Sequence, residues 1–147
     1  MHNKLNWTVH YSKNRSSGIA MVEFAMVLLL LLTILLSIME AGRAVMNYHT
    51  LYQAVSEGAR FASVNGSTSG TPPGPRSTGE VDPLVKQRVV DAAVGLQLAP
   101  GDVQVIWIPD NRPGNSVSVS ASYLYEPFAL GWVAFSLSSG SSVVILR

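Results

Sequence analysis

The stretch GIAMVEFAMVLLLLLTILLSIM, residues 18–39, decides the fold of this chain. From Ile19 to Met39 the only polar side chains are Glu23, Thr33 and Ser37. At about 1.5 Å per residue, this helix is roughly 30 Å long, which matches the hydrocarbon core of a bilayer. A buried helix of a soluble domain would need more surrounding protein than a chain of 147 residues offers. The stretch therefore predicts a single-pass transmembrane helix over residues 19–39, with the lipid bilayer as its first partner.

The charges beside the span predict its orientation. The leader, residues 1–18, carries Lys4, Lys13 and Arg15 and no acid, whereas Glu40 and Arg43 nearly cancel after the span. Basic residues favour the cytoplasmic side of a membrane. We therefore expect the N-terminus in the cytoplasm, the span in the inner membrane and the remainder of the chain in the periplasm.

Composition excludes several classes of function. After the leader, acids slightly outnumber bases, so no basic face is available for nucleic acid. The chain has no cysteine, which excludes disulfides, a thiol nucleophile and thiolate metal sites. His2, His10 and His49 lack the spacing of metal ligands, and the many serines have no His and Asp partners. The sequence predicts neither an enzyme nor a bound cofactor.

Glu23 is the costly residue of the span, because a carboxylate within a bilayer is unfavourable. One interpretation is an interfacial acid that reaches the membrane surface. The other is that it pairs with a cation inside the membrane. Cleavage after Gly18 would make Ile19 the new N-terminus and Glu23 the fifth residue. The placement of Glu23 relative to Gly18 decides between these two interpretations.

Helical periodicity continues through residues 40–64 without proline. Glu40 and Arg43 lie three positions apart, as do Glu57 and Arg60, so each pair can form an ion pair on the exposed side. Many small residues allow this helix to approach other helices closely, to dock on the rest of the chain, or to do both on different faces. Asn65-Gly66, which tolerates left-handed backbone, is expected to end the helix.

Residues 65–82 form a linker rich in Gly, Ser, Thr and Pro, and residues 83–147 form a small head. Asp82 and Pro83 begin a second helix, which is expected to end near Leu98. The head strands are predicted at residues 103–108, at residues 117–125, where apolar residues alternate with serine, and at residues 142–147. Residues 128–137 are expected to form a loop or a short helix near the membrane or a partner. The fold class is therefore α+β: a long N-terminal helix, then one helix and an antiparallel three-stranded sheet.

The combination of Gly18-Ile19 with Glu23-Phe24, followed by two charged pairs, resembles a known family. Together with Glu40, Arg43, Glu57 and Arg60, these residues are similar to the N-terminal region of TadE-like proteins, the minor pseudopilins of the Flp/Tad (tight adherence) type IV pilus system. The resemblance implies a pilin-like fold, cleavage by a prepilin peptidase after Gly18, and a Glu23 that meets the free N-terminal amine of a neighbouring subunit. The implied partners are the prepilin peptidase, other pilins and pseudopilins, and the inner-membrane pilus assembly platform.

The function expected from this resemblance is that of a minor pseudopilin that takes part in assembling a Flp/Tad-type pilus used for surface adhesion. Two alternatives remain open from the residues themselves. The first is an uncleaved, single-pass envelope protein whose head is a binding module. The second is a secretory signal peptide cleaved after Ala44, although the apolar run is longer than a signal-peptide core.

Overall fold

The computed structural model describes residues 15–70, 82–128 and 133–146, with side chains from Gly18 onward. In chain order its elements are helix α1 (Arg15–Val64), helix α2 (Pro83–Ala92), a 3-10 turn (Pro100–Asp102), and strands β1 (Val103–Ile108), β2 (Ser116–Tyr125) and β3 (Phe135–Val144). The predicted α+β class, with a long N-terminal helix and an antiparallel three-stranded sheet, is confirmed. The chain divides into two units, Met1–Met39 and Glu40–Arg147, and each is described by itself.

The first unit contributes the apolar start of α1. Its large apolar side chains are all exposed, from Leu28 at 41% to Met21 at 74%, so none of them packs in a core of this chain. By length and composition, α1 is the one described helix able to cross a membrane. The helix begins at Arg15, four residues before the predicted start at Ile19. An apolar surface of this extent needs lipid or other apolar helices around it.

In the second unit, α1 continues from Glu40 to Val64 without interruption, so neither Gly42 nor Gly58 breaks it. One side of this segment is buried in the core of the unit. Leu51 and Val55 lie on this buried side, whereas Tyr48 and Tyr52 are exposed. The predicted docking of small residues on the head is present, because the buried residues of this segment include Ala54, Gly58, Ala59 and Ala62.

The sheet has the strand order β1-β2-β3, and both pairs are antiparallel. Alternate residues of β2 face the core because side chains on a strand point to opposite sides in turn. Val117, Val119 and Ala121 are accordingly buried, and they meet Val85 and Val89 of α2 in one core with α1. The Leu146 N–H donates to the Ser63 carbonyl at 2.7 Å, which ties the chain after β3 to the end of α1.

Two predicted boundaries in the head are wrong. Helix α2 ends at Ala92 rather than near Leu98, because Gly95 adopts a left-handed φ of 84° that a helix cannot continue through. Strand β3 covers Phe135–Val144 rather than residues 142–147, and it pairs along its whole length with β2. Its serines and Gly140 conceal the alternation that identifies a strand in sequence. The predicted loop or short helix at 128–137 is therefore strand from Phe135, and residues 129–132 lie outside the described part.

The backbone after α1 does not use the left-handed conformation that Asn65-Gly66 would tolerate. The helix does stop at Val64, but among the described residues only Gly95 and Gly114 have positive φ, so Asn65-Gly66 is not left-handed. Instead, the Asn65 side-chain amide donates to the Phe61 carbonyl at 2.9 Å. This bond satisfies one of the carbonyls that a helix leaves free at its C-terminus.

Gly58 and Gly42 provide a matched pair of substitutions on α1. A Cβ at Gly58 would clash with Cγ2 of Val89, a stiff and fully buried side chain, whereas a Cβ at Gly42 meets nothing within 4 Å. We expect Gly58→Ala to lower the free energy of unfolding by about 1–2 kcal/mol, because overpacking outweighs the gain in helix propensity. Gly42→Ala should raise helix stability by up to about 1 kcal/mol.

Thermal unfolding of the full chain in detergent micelles, followed by circular dichroism, measures both changes. Equal effects of the two substitutions would contradict the close contact between Gly58 and Val89. The double variant Gly58→Ala with Val89→Ala provides space for the new methyl group. Relief of the Gly58→Ala defect in that background would identify the Val89 side chain as its cause.

Candidate functional site

The apolar part of α1 contains three polar side chains, and two of them are satisfied by the helix itself. The Thr33 hydroxyl donates to the Leu29 carbonyl at 2.8 Å, and the Ser37 hydroxyl donates to the Thr33 carbonyl at 2.8 Å. Such bonds to the preceding turn allow hydroxyl groups to lie in lipid without a further partner. Glu23 differs, because it is exposed and makes no hydrogen bond or ion pair with any described residue.

The residues around Glu23 are accessible as well. Phe24 is 68% exposed and Ile19 is 70% exposed. Gly18 lies within α1, and no other side chain approaches the position that its Cβ would occupy. Gly18, Ile19, Glu23 and Phe24 thus share a segment that is open to another protein.

A second cluster lies at the start of the other unit and is built around Glu40. Its Oε1 accepts hydrogen bonds from the Tyr125 hydroxyl at 2.9 Å and from the Phe128 N–H at 2.8 Å. The Arg43 Nη1 group donates to the same carboxylate at 3.2 and 3.3 Å. We call these four residues the Glu40 cluster. The predicted pair of Glu40 and Arg43 is present, but the Glu40 side chain is only 14% exposed rather than on the open side of the helix.

The Glu40 cluster is held together by hydrogen bonds to the ionised Glu40 carboxylate. Burial of Glu40 opposes ionisation, but hydrogen bonds from Phe128 and Tyr125, with the Arg43 charge, lower its pKa below the ordinary value. Burial and the neighbouring carboxylate raise the pKa of Tyr125, so its hydroxyl stays protonated and donates. The Tyr125 ring is 1% exposed, lies 5.1 Å from the Phe135 ring, and has the Arg43 guanidinium 5.9 Å from its centroid. The cluster therefore fastens α1 at Glu40 to the end of β2.

A third cluster joins α1 to α2. Glu57 Oε1 accepts from Arg88 Nη2 at 2.9 Å, and Oε2 accepts from Arg60 Nε at 3.3 Å. The hydrogen bond from Arg88, then that from Arg60, lowers the pKa of Glu57. The Arg60 side chain is 78% exposed, so its pair with Glu57 adds little stability by itself. The predicted pair is again present, and Arg88 is the tertiary partner that the sequence did not reveal.

Asp82 holds the beginning of α2 against β1. It occupies the N-cap position, as predicted, but its side chain caps no helix N–H; Oδ2 accepts from the Trp107 indole N–H at 3.1 Å. Oδ1 is buried without a hydrogen-bond partner among the described residues. Burial raises the pKa of Asp82 from 3.8 to about 6, although the Trp107 hydrogen bond and the nearby Lys86 charge act in the opposite direction.

Because the pKa of Asp82 is raised, the folded chain keeps a proton between about pH 4 and 6 that the unfolded chain has already released. The contribution of Asp82 to the free energy of unfolding should therefore fall by about 1–2 kcal/mol as the pH rises through this range, after allowance for partial solvent screening. Asp82→Asn should remove this dependence and stabilise the fold at pH 7. Thermal unfolding of the full chain in micelles at pH 4 and pH 7 measures both effects.

Asp91→Asn is the matched control, since Asp91 is an exposed carboxylate on the same helix. It should leave the pH dependence as in the parent chain. The chemical shift of the Trp107 indole N–H reports on Asp82 directly, because this N–H donates to the Asp82 carboxylate, whose charge changes with pH. A Trp107 resonance that does not move between pH 4 and 7 would contradict the assignment of this titration to Asp82.

The predicted residues thus form two groups. Glu40 joins Arg43, and Glu57 joins Arg60, in the second unit, whereas the segment from Gly18 to Phe24 belongs to the first unit. Tyr125, Phe128 and Arg88 were missed because their contacts join residues 31 to 88 positions apart. The sequence offered one signal: Tyr125 lies at the end of the alternating strand, and a tyrosine hydroxyl that becomes buried needs a hydrogen-bond partner. Among the described residues, no group of three His, Asp or Glu is placed to hold a metal ion.

Among the described residues, one apolar helix carries near its start a glutamate without a partner, and a small α+β unit follows; this defines a protein with a candidate membrane anchor. Residues 18–60 match the family model described as TadE-like protein, which confirms the predicted resemblance over this segment. The match includes both charged pairs of α1 and indicates a protein associated with the Tad pilus system. Helix α2 and the sheet lie outside it. Comparisons with curated proteins and with solved structures gave no match.

Proposed function

We propose that this protein is a minor pseudopilin that takes part in assembling a Flp/Tad-type pilus used for surface adhesion. The observation that supports this most strongly is the state of Glu23. Thr33 and Ser37 satisfy their polar groups within α1, but Glu23 has no partner among the described residues. A carboxylate in lipid that finds no cation in its own chain is stabilised by one from a neighbour.

The proposed cation is the free amine of Ile19 in an adjacent subunit, produced when a prepilin peptidase cleaves after Gly18. Ile19 and Glu23 are four residues apart on α1, which corresponds to a rise of about 6 Å. A neighbour displaced by that distance along the helix axis brings its amine to the level of Glu23. The exposed Phe24 ring lies beside this position and supplies an apolar contact for peptidase or subunit.

The charged residues after the span support the proposed orientation. The Glu40 and Arg43 side chains pair with each other, so no net positive charge follows the span, whereas Lys13 and Arg15 precede it. This asymmetry favours a cytoplasmic N-terminus in the inner membrane and a periplasmic head. The peptidase site at Gly18 would then face the cytoplasm, beside the inner-membrane assembly platform.

We assign a positioning role to the remaining family landmarks. The Glu40 carboxylate is occupied by Tyr125 and Phe128, and the Glu57 carboxylate by Arg88, all within the same chain. These acids are therefore engaged in fixing α1 to the head, whereas Glu23, which has no partner among the described residues, can serve a neighbouring subunit. The division predicts that substitutions at Glu40 alter the head and substitutions at Glu23 alter assembly.

Determination of the mature N-terminus tests the proposal. The protein is isolated from membranes of a host that makes the prepilin peptidase, and its N-terminal residue is identified by mass spectrometry. A start at Ile19 is expected, and Gly18→Trp should block it. An intact Met1 would support the uncleaved envelope binding module instead, and a start at Val45 would indicate a signal peptide; either result overturns the pseudopilin assignment.

A further inference from the structure

The strands of the sheet differ in how far they extend, so part of β2 has a strand on one side only among the described residues. Strand β1 pairs with β2 from Ser116 to Ala121, whereas β3 pairs with β2 as far as Tyr125. Within the described part of the chain, the segment Ser122–Tyr125 therefore has a strand on its β3 side and none on its β1 side. About two of these four residues direct their backbone N–H and C=O groups toward the open side, given the alternation along a strand.

A cavity of about 550 Å³ lies at this open edge. Ser122, Tyr123 and Leu124 line it together with Gln97, Asp102 and Glu126, and it extends over the sheet to Ser136 of β3. A second cavity of about 330 Å³ shares Asp102 and Ser122 and continues over the sheet toward Ser138 and Gly140. The open edge is thus the end of a longer groove with a floor of small side chains.

The charge of the groove indicates what it can bind. Asp102 and Glu126 line it, and no Lys or Arg is among the described residues that do. One Asp102 oxygen, Oδ2, accepts the Ala99 N–H at 3.0 Å, which fixes the carboxylate at the start of β1. Leu124 is 57% exposed and offers an apolar contact between the two acids. The complementary ligand is extended, carries positive charge and has a backbone that can pair with a strand.

We propose that the edge Ser122–Tyr125 accepts an extended segment of a partner protein that carries Lys or Arg, which continues the sheet where β1 ends. Added strands of this kind gain affinity from main-chain hydrogen bonds and specificity from the flanking side chains. The outer edge of β3 is longer, but Phe135–Val144 contains no charged residue, so it lacks this complementarity. The site belongs to the head alone and does not depend on cleavage at Gly18.

The test uses the full ¹⁵N-labelled chain in lipid nanodiscs and a synthetic heptapeptide of alternating threonine and lysine. Amide resonances of residues 122–125 should shift on titration, and their hydrogen exchange should slow. The same peptide with N-methylated backbone should bind about tenfold more weakly, because it cannot pair with the strand edge. A threonine–glutamate heptapeptide should not bind. Equal binding of the methylated peptide, or no binding of the lysine peptide, would overturn the proposal.

Two serines provide the matched variants. Ser122→Trp fills the cavity and should abolish binding, whereas Ser142→Trp, at an exposed position on β3 outside both cavities, should not. The combination Asp102→Asn with Glu126→Gln should weaken the lysine peptide and admit the glutamate peptide. Peptide binding unaffected by Ser122→Trp would overturn the assignment to this edge. Self-association of the parent chain that Ser122→Trp prevents would also overturn it, since the occupant would then be a second copy.

Discussion

Replacement of Glu23 by alanine is expected to abolish incorporation of the protein into the pilus while leaving it in the membrane. The carboxylate is exposed, unpartnered within the described chain and located near the start of an apolar helix. Its removal should make membrane insertion easier, because a charged side chain is unfavourable in lipid. At the same time, the neighbour's amine would be left without a counter-charge. Easier membrane insertion combined with loss from the pilus would indicate that the Glu23 charge serves assembly and not anchoring.

The measurement is the amount of this protein in sheared pilus fractions and in membranes of a host that makes the other subunits. Glu23→Gln preserves the shape of the side chain without its charge, and Glu23→Asp preserves the charge on a shorter stem. We expect at least a tenfold loss from pili, roughly the effect of 1.4 kcal/mol, for alanine and glutamine, and a smaller loss for aspartate. Membrane amounts should stay at or above those of the parent chain.

Thr33→Ala and Ser37→Ala are the matched controls, because each removes a polar group from the same helix that is already satisfied by a backbone carbonyl. Both variants should enter pili like the parent chain. If Glu23→Gln also enters pili normally, the proposed pairing with an N-terminal amine is wrong. If all three positions reduce incorporation equally, the helix surface rather than the charge is responsible.

The N-terminal half of the structure was largely predictable because its signals are local. An apolar run of bilayer length, ion pairs at a spacing of three residues and helical periodicity all depend on near neighbours in sequence. The same reasoning placed β1 at residues 103–108 and the alternation in β2 correctly. It failed for β3, a strand that forms because it pairs with another strand and not because of its own sequence pattern. Strand β3 forms on a serine-rich sequence because β2 offers ten residues to pair with.

The Glu40 cluster shows the same limit for side chains. Glu40 and Arg43 were predicted as an exposed pair, and their spacing contains no information on Tyr125, which is 85 residues away. A helix face can be read as polar and still be half-buried when a distant hydroxyl and a backbone N–H converge on it. Gly58 is a further case, since a glycine within a helix carries no sequence signal for the close contact with Val89 of α2 that the structure shows.

Tyr125→Ala is expected to cause the largest loss of stability in the head. The side chain is 1% exposed, packs against Phe135, and donates its hydroxyl to Glu40. Truncating a buried aromatic residue lowers the free energy of unfolding by about 3–5 kcal/mol. Tyr125→Phe retains the ring and should cost about 1–2 kcal/mol for the lost hydrogen bond. Thermal unfolding of the full chain in micelles measures both, and Tyr52→Ala, at an exposed aromatic on α1, should change little.

A double-substitution cycle separates the hydroxyl from the ring. If the Tyr125 hydroxyl acts through Glu40, then Tyr125→Phe and Glu40→Gln should not add, because each removes the same charge-assisted bond. Hydrogen exchange at residues 40–43 should accelerate in both single variants, since the cluster holds this turn of α1 to β2. Additive losses, or unchanged exchange at residues 40–43, would mean that the head is held by apolar packing alone. The structure predicts coupling, because one carboxylate oxygen receives both the Tyr125 hydroxyl and the Phe128 N–H.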